Sequence, residues 1–174
     1  MLAKEYKVVP VSMEIAGDMI TPICLLNKVM DVSNHCFYVF IGYDPTLEVT
    51  CQNGQMKVRA VDGKKVTELS EEQTAHPAVK IREILRKYKS PRLIYLPPFS
   101  GGLVGYFSYD YIKYSEPSLV LDAKDEEGFK DVDLMLFDKV IVFDNYTQKI
   151  ILIANASTDD MDANYEKAGR TSPR

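Results

Sequence analysis

The feature that most narrows the fold is a two-residue break between two strand-like runs. Leu47 to Gln52 and Gln55 to Ala60 are the runs, and Asn53-Gly54 separates them. Asn and Gly both enter the left-handed region of backbone space at low cost, as the commonest two-residue hairpin turn requires. The pattern predicts an antiparallel hairpin at 47–60, and so a sheet built from hairpins rather than helical crossovers.

The rest of the chain fits that frame. Tyr6 to Val11 reads as a strand and Met13 to Asp18 as a connector. Asp18 or Thr21 caps a helix with Pro22 at its first position, and Ile23, Leu26, Val29 and Met30 give it one apolar face to about Val32. Ser33-Asn34 ends it. Phe37 to Tyr43 is a strand closed by Asp44-Pro45. A turn at Asp62-Gly63 leads to a strand over Lys64 to Leu69, and the polar residues 70–76 read as exposed. Pro77 opens a helix to about Tyr88, with Val79, Ile81, Ile84 and Leu85 on one face. Arg82, Arg86, Lys87 and Lys89 suit solvent and the negative end of the helix dipole. Ser115 to Asp131 reads as an acidic, solvated surface loop without the ligand alternation of a calcium site. Asp133 to Asp144 and Gln148 to Asn155 read as two apolar strands with a turn at Asn145-Tyr146-Thr147, and Met161 to Ala168 begins a further helix. The sum is an α+β fold, mostly antiparallel sheet built from hairpins, with two principal helices.

Between Pro91 and the acidic loop lies the densest segment, Leu96 to Glu116, with two prolines, three glycines and four tyrosines. Pro97-Pro98 favours an extended approach, and Ser100-Gly101-Gly102 supplies a turn. Leu103, Val104, Tyr106, Phe107 and Tyr109 are too apolar for a loop, so Gly105 among them marks a bulge or a close backbone approach. The run has neither a dinucleotide-binding nor a P-loop glycine pattern.

The chemistry-bearing residues do not converge on a mechanism. Cys24, Cys36 and Cys51 lack metal or redox spacing and read as reduced thiols, and His35 and His76 sit in polar connectors. Ser100 is not in a nucleophile elbow, and nothing places Asp110, Asp138 and Asp144 together. A net charge of −4 over 174 residues argues against nucleic acid or an anionic membrane as partner. No apolar run is long enough to span a bilayer and the first residues lack a secretory pattern, which points to the cytoplasm.

The segment PPFSGGLVGYFSYDYIKY resembles the N-terminal domain of anthranilate synthase component I, in the chorismate-utilising enzyme family. The resemblance extends to Tyr6–Val11 followed by Asp18 and Thr21-Pro22, to Phe40-Ile41-Gly42-Tyr43-Asp44-Pro45, and to Asp133-Leu134 with Asp138–Asp144. It runs from about Tyr6 to Ala168. It implies a single N-terminal domain over 1–174 that is non-catalytic and supports a C-terminal chorismate-binding catalytic domain outside this chain. The family converts chorismate to anthranilate and pyruvate with ammonia from a glutamine amidotransferase subunit. Magnesium is expected in the catalytic domain and no cofactor in this part. The family's N-terminal domain also supplies much of an L-tryptophan feedback site. A Leu-Leu-Glu-Ser-like segment normally precedes the strand ending in FIG, but here Cys36-Phe37 runs straight into Tyr38-Val39-Phe40. The tail Gly169 to Arg174 also differs from the family's link to its second domain. Cys36, Phe37 and Tyr38 are therefore the nearest candidates for a tryptophan-pocket rim, with Ser100, Gly101 and Gly102 second. The matching domain of aminodeoxychorismate synthase component I and a stand-alone β-rich binding module remain as alternatives.

Overall fold

The structure is a computed structural model that describes residues 5–16, 38–116, 118–119, 126–159, 164 and 166. Among these residues, nine strands form two sheets, and every pairing is antiparallel. The α+β expectation holds. The helix expected at Pro22–Val32, with its Asp18 or Thr21 cap, lies outside the described residues. So does the one at Met161–Ala168, apart from Asn164 and Glu166, which are helical. The chain divides into two compact units, one of Met1–Tyr43, Ser90–Gly101 and Asp138–Arg174, the other of Asp44–Lys89 and Gly102–Phe137.

The first unit holds β1 (Val8–Ala16), β2 (Tyr38–Gly42), β8 (Lys139–Asp144) and β9 (Lys149–Ser157), in the order β1-β9-β8-β2. The central strands supply the buried cluster Val140, Val142, Ile151 and Ile153, against which Tyr38, Leu96 and Phe99 pack. β1 runs on through Met13–Ala16, where a connector was expected, because it pairs with β9 from Val8↔Ser157 to Ala16↔Lys149. Long-range pairing here overrides a stretch with little strand pattern of its own. Pro10 is tolerated because β1 is an edge strand and loses no ladder donor on its open side.

The second unit holds β3 (Leu47–Gln52), β4 (Gln55–Asp62), β5 (Lys65–Gln73), β6 (Gly102–Phe107) and β7 (Val132–Phe137), in the order β5-β4-β3-β7-β6. The predicted hairpin is present in register, from Leu47↔Ala60 to Gln52↔Gln55, with Asn53 and Gly54 at φ 49° and 79°. Val49, Cys51, Met56, Val132 and Leu134 form the buried core with Ile81 of α1 (Pro77–Lys87). β5 continues past Leu69 to Gln73, so part of the polar stretch is strand, though mostly exposed.

The run Asp133–Asp144 is not one strand. It breaks at Asp138: β7 pairs with β3 and β6, and β8 pairs with β2 and β9. Both halves are apolar, and only their partners distinguish them. No helix among the described residues is long and apolar enough to cross a membrane.

Candidate functional site

In the first unit, the glycine segment is anchored by a side chain far along the chain. Asn155 donates from Nδ2 to the Ser100 carbonyl at 2.7 Å and to the Asp138 carbonyl at 3.1 Å, and its N–H donates to the same Asp138 oxygen at 2.8 Å. One asparagine thus fixes two of the points where the chain leaves this unit. Phe99 meets Phe40 edge to face at 5.6 Å, and Phe40 meets Tyr38 at 5.9 Å. Of the candidate rim residues, Tyr38 therefore shares one apolar neighbourhood with Phe99, the residue before Ser100. Gly101, at φ 134°, ends the unit's share of this segment, while Gly102 opens β6 in the second unit. Cys36 and Phe37 lie outside the described residues.

In the second unit, Gly105 makes the close approach its position implied: a Cβ there would collide with the Asp133 carbonyl of the paired strand β7. Beyond β6 the chain tightens into a 3₁₀ helix, Tyr109–Tyr114. That geometry eclipses side chains three residues apart, and the Tyr111 and Tyr114 rings meet at 5.4 Å, tilted by 57°.

The densest polar cluster is one that residue patterns did not reveal. Asp131 is 2% exposed rather than part of a solvated loop. Its Oδ2 accepts from the Asn53 N–H and the Tyr114 hydroxyl, both at 2.7 Å, and its Oδ1 accepts from Lys113 Nζ at 2.7 Å. The Gly54 N–H donates to the Tyr114 hydroxyl at 2.6 Å, and Cys51 Sγ lies 3.6 Å from the same oxygen. The Asp131 backbone also bridges strands, with its N–H on the Cys51 carbonyl and its carbonyl accepting from Ser108. Burial pushes the Tyr114 phenol far up, and its bond to Asp131 pushes it further. Burial likewise raises the Cys51 thiol. A neutral tyrosine that donates to the Asp131 carboxylate, with a protonated thiol beside its hydroxyl, makes a clamp on the Asn53-Gly54 turn, not a nucleophile with its base.

Asp138 and Asp144 flank opposite ends of β8 in the first unit and do not gather there, and Asp110 belongs to the second unit. Among the described residues no three His, Cys, Asp or Glu side chains gather as metal ligands. His76 is exposed at the start of α1 and caps nothing with its side chain.

Fold and site together define an antiparallel two-sheet α+β protein whose polar groups clamp its turns. A family model described as chorismate binding enzyme matches residues 28–172, and the chain belongs to that family. It is 34% identical over 167 residues to anthranilate synthase component 1 of Acetivibrio thermocellus, covering 88% of this chain and 32% of that protein. It is 31% identical over 179 residues to the protein of the same name from Acinetobacter calcoaceticus, covering 94% and 35%. The crystal structure of anthranilate synthase component I from Streptococcus pneumoniae TIGR4 shares the fold at TM-score 0.56 and 23% identity, over 90% of this chain and 34% of that one. The chain spans about a third of the length of the curated relatives it matches.

Proposed function

We propose that this chain is the N-terminal, non-catalytic part of an anthranilate synthase component I in the cytoplasm. It supports a chorismate-binding catalytic portion that carries magnesium and receives ammonia from a glutamine amidotransferase subunit. The observation that carries this reading is the alignment of nearly the whole chain with only a third of the anthranilate synthase relatives, inside a chorismate-family match. The clamp around Asp131 agrees with it, because those polar groups bond one another and the Asn53-Gly54 turn. Tyr38 and Ser100–Gly101, in the first unit, are the proposed contribution to an L-tryptophan feedback site, beside Cys36 and Phe37.

The test is complementation in trans. The chorismate-binding portion from the same organism is expressed separately, and anthranilate fluorescence is followed with chorismate, magnesium and ammonium, with and without tryptophan. Activity that appears only when this chain is added supports the reading, and tryptophan sensitivity abolished by Tyr38→Ala supports the site. Aminodeoxychorismate as product moves the enzyme to the folate branch. A chain that melts cooperatively yet neither binds nor activates that portion refutes the proposal.

A further inference from the structure

We infer that the open edge of β6, with the apolar surface beside it, is where the catalytic portion adds to the second unit's sheet. This rests on the function proposed above and names the surface it uses.

The two edges of this sheet differ in kind. Native edges resist unwanted pairing through charges, prolines and bulges. β5, at one edge, carries Lys65, Glu68, Glu71 and Glu72, and its pairing with β4 is interrupted by an irregularity at Val58/Arg59. β6, at the other, is Gly-Leu-Val-Gly-Tyr-Phe, without a charge or a proline. Among the described residues no strand pairs with its outer side.

The sheet face next to that edge exposes large apolar side chains. Val104 stands opposite Met135, and they are 47% and 42% exposed. Tyr106, on the same face, lies 5.2 Å from Phe129, which is 57% exposed. Charges stand beside the apolar residues: Asp133, opposite Tyr106 on β7, pairs with Lys130 at 2.8 Å, and towards β3 Glu48 meets Lys130 at 3.6 Å and Arg59 at 3.1 Å. An apolar centre with a charged border is how a protein interface is built. An uncharged open edge adds main-chain hydrogen bonding, the recognition mode of a strand joining a sheet.

The occupant is the catalytic portion of the same polypeptide. The relatives and the solved structure are about three times as long as the region matched, so about two-thirds of such a chain is available to cover this surface. A second copy of this chain is the rival occupant.

The test measures binding of the separately expressed chorismate-binding portion to wild type, Val104→Lys, Tyr106→Lys and, as a control on the charged edge, Val66→Lys. Sedimentation of each chain alone is measured in parallel, with hydrogen exchange of the 103–107 amides in wild type with and without the portion. The expected result is slower exchange at 103–107 on binding. Binding should also weaken roughly tenfold or more in both β6 variants and stay unchanged in Val66→Lys. Wild-type binding that leaves exchange at 103–107 and both β6 variants unaffected overturns this inference while the proposed function stands. A wild-type dimer that Val104→Lys separates assigns the edge to a second copy and also overturns it. A folded wild type that does not bind refutes the proposed function, and this inference with it. The exchange readout needs no variant, so a substitution that unfolds the chain leaves the outcome decided.

Discussion

Asp131→Asn removes the charge at the centre of the clamp while keeping its shape. The carboxylate accepts from three donors, two on Oδ2 and one on Oδ1. A carboxamide has one accepting oxygen, so an N–H₂ must face either the Lys113 ammonium or the pair formed by Tyr114 and the Asn53 N–H. At least one charge-assisted bond is lost at a site 2% exposed. Such a bond contributes about 1.5–3 kcal/mol, and a misdirected donor adds to the loss, so the expected cost is about 2–4 kcal/mol. The Lys113 share is discounted because that side chain is 27% exposed and screened by solvent. For a chain of this size the melting temperature should fall by roughly 5–15 °C. If the two units melt separately, only the second unit's transition should move. Tyr114→Phe strips the Gly54 N–H of its acceptor, and the double variant should cost less than the sum of the singles because both act on one network. Calorimetry with residue-resolved hydrogen exchange is the assay, and the amides of Asn53 and Gly54 should lose protection first. Unchanged exchange at those amides together with additive singles would refute the clamp.

Gly105→Ala should destabilise the second unit by roughly 3 kcal/mol or more, since the new methyl meets the β7 backbone, which cannot step aside as a flexible side chain would. Chemical denaturation checks this. Burial of Asp144 raises its carboxyl pKa, but the Thr147 and Tyr146 N–H groups at 2.9 Å and nearby Lys149 outweigh it, leaving the net value below the ordinary 3.8. A depressed native pKa stabilises above the ordinary value and is lost as pH falls through the native one. The Tyr146 and Thr147 amide signals should therefore titrate with a midpoint below 3.8, and Asp144→Asn should abolish that titration. Cys51 is 1% exposed and its thiol is pushed up by burial, so mass spectrometry should find it unlabelled by a thiol reagent until denaturant is added.

What the residues revealed alone was local. The Asn53-Gly54 hairpin and the helix opening at Pro77 depend on backbone preferences within a few positions, and Gly105 stood out as a glycine inside an apolar run although it approaches a distant strand. The missed features depend on partners far away. Asp131 ends an acidic stretch and looks like surface, yet its donors come from residues 17, 18 and 78 positions away. The split at Asp138 had no marker either, because Val132–Phe137 and Lys139–Asp144 have similar apolar patterns and differ only in the strands they join. β1 past Met13 is held by residues near the other end of the described chain, a pairing that no local window contains. The tryptophan-rim residues were named by resemblance, and the shared neighbourhood of Tyr38 and Phe99 was not visible in their sequence positions.

The family resemblance was nevertheless carried by short motifs, and the fold gives a physical reason. The chain passes between its two units at 43/44, 89/90, 101/102 and 137/138. The FIG-x-DP stretch spans the first passage, where Asp44 adopts φ 53°, a conformation Asp tolerates better than most side chains. Ser90-Pro91 opens at the second. The PPFSGG stretch spans the third with Gly101 and Gly102 at φ 134° and 143°, and DKVIVFD begins at the fourth. Strand interiors accept many apolar residues of similar size, whereas each passage restricts backbone angles or needs a fixed acceptor such as the carbonyls held by Asn155. The motifs therefore report where the chain changes units. That is why short motifs identify the family although the strands between them carry little of the resemblance.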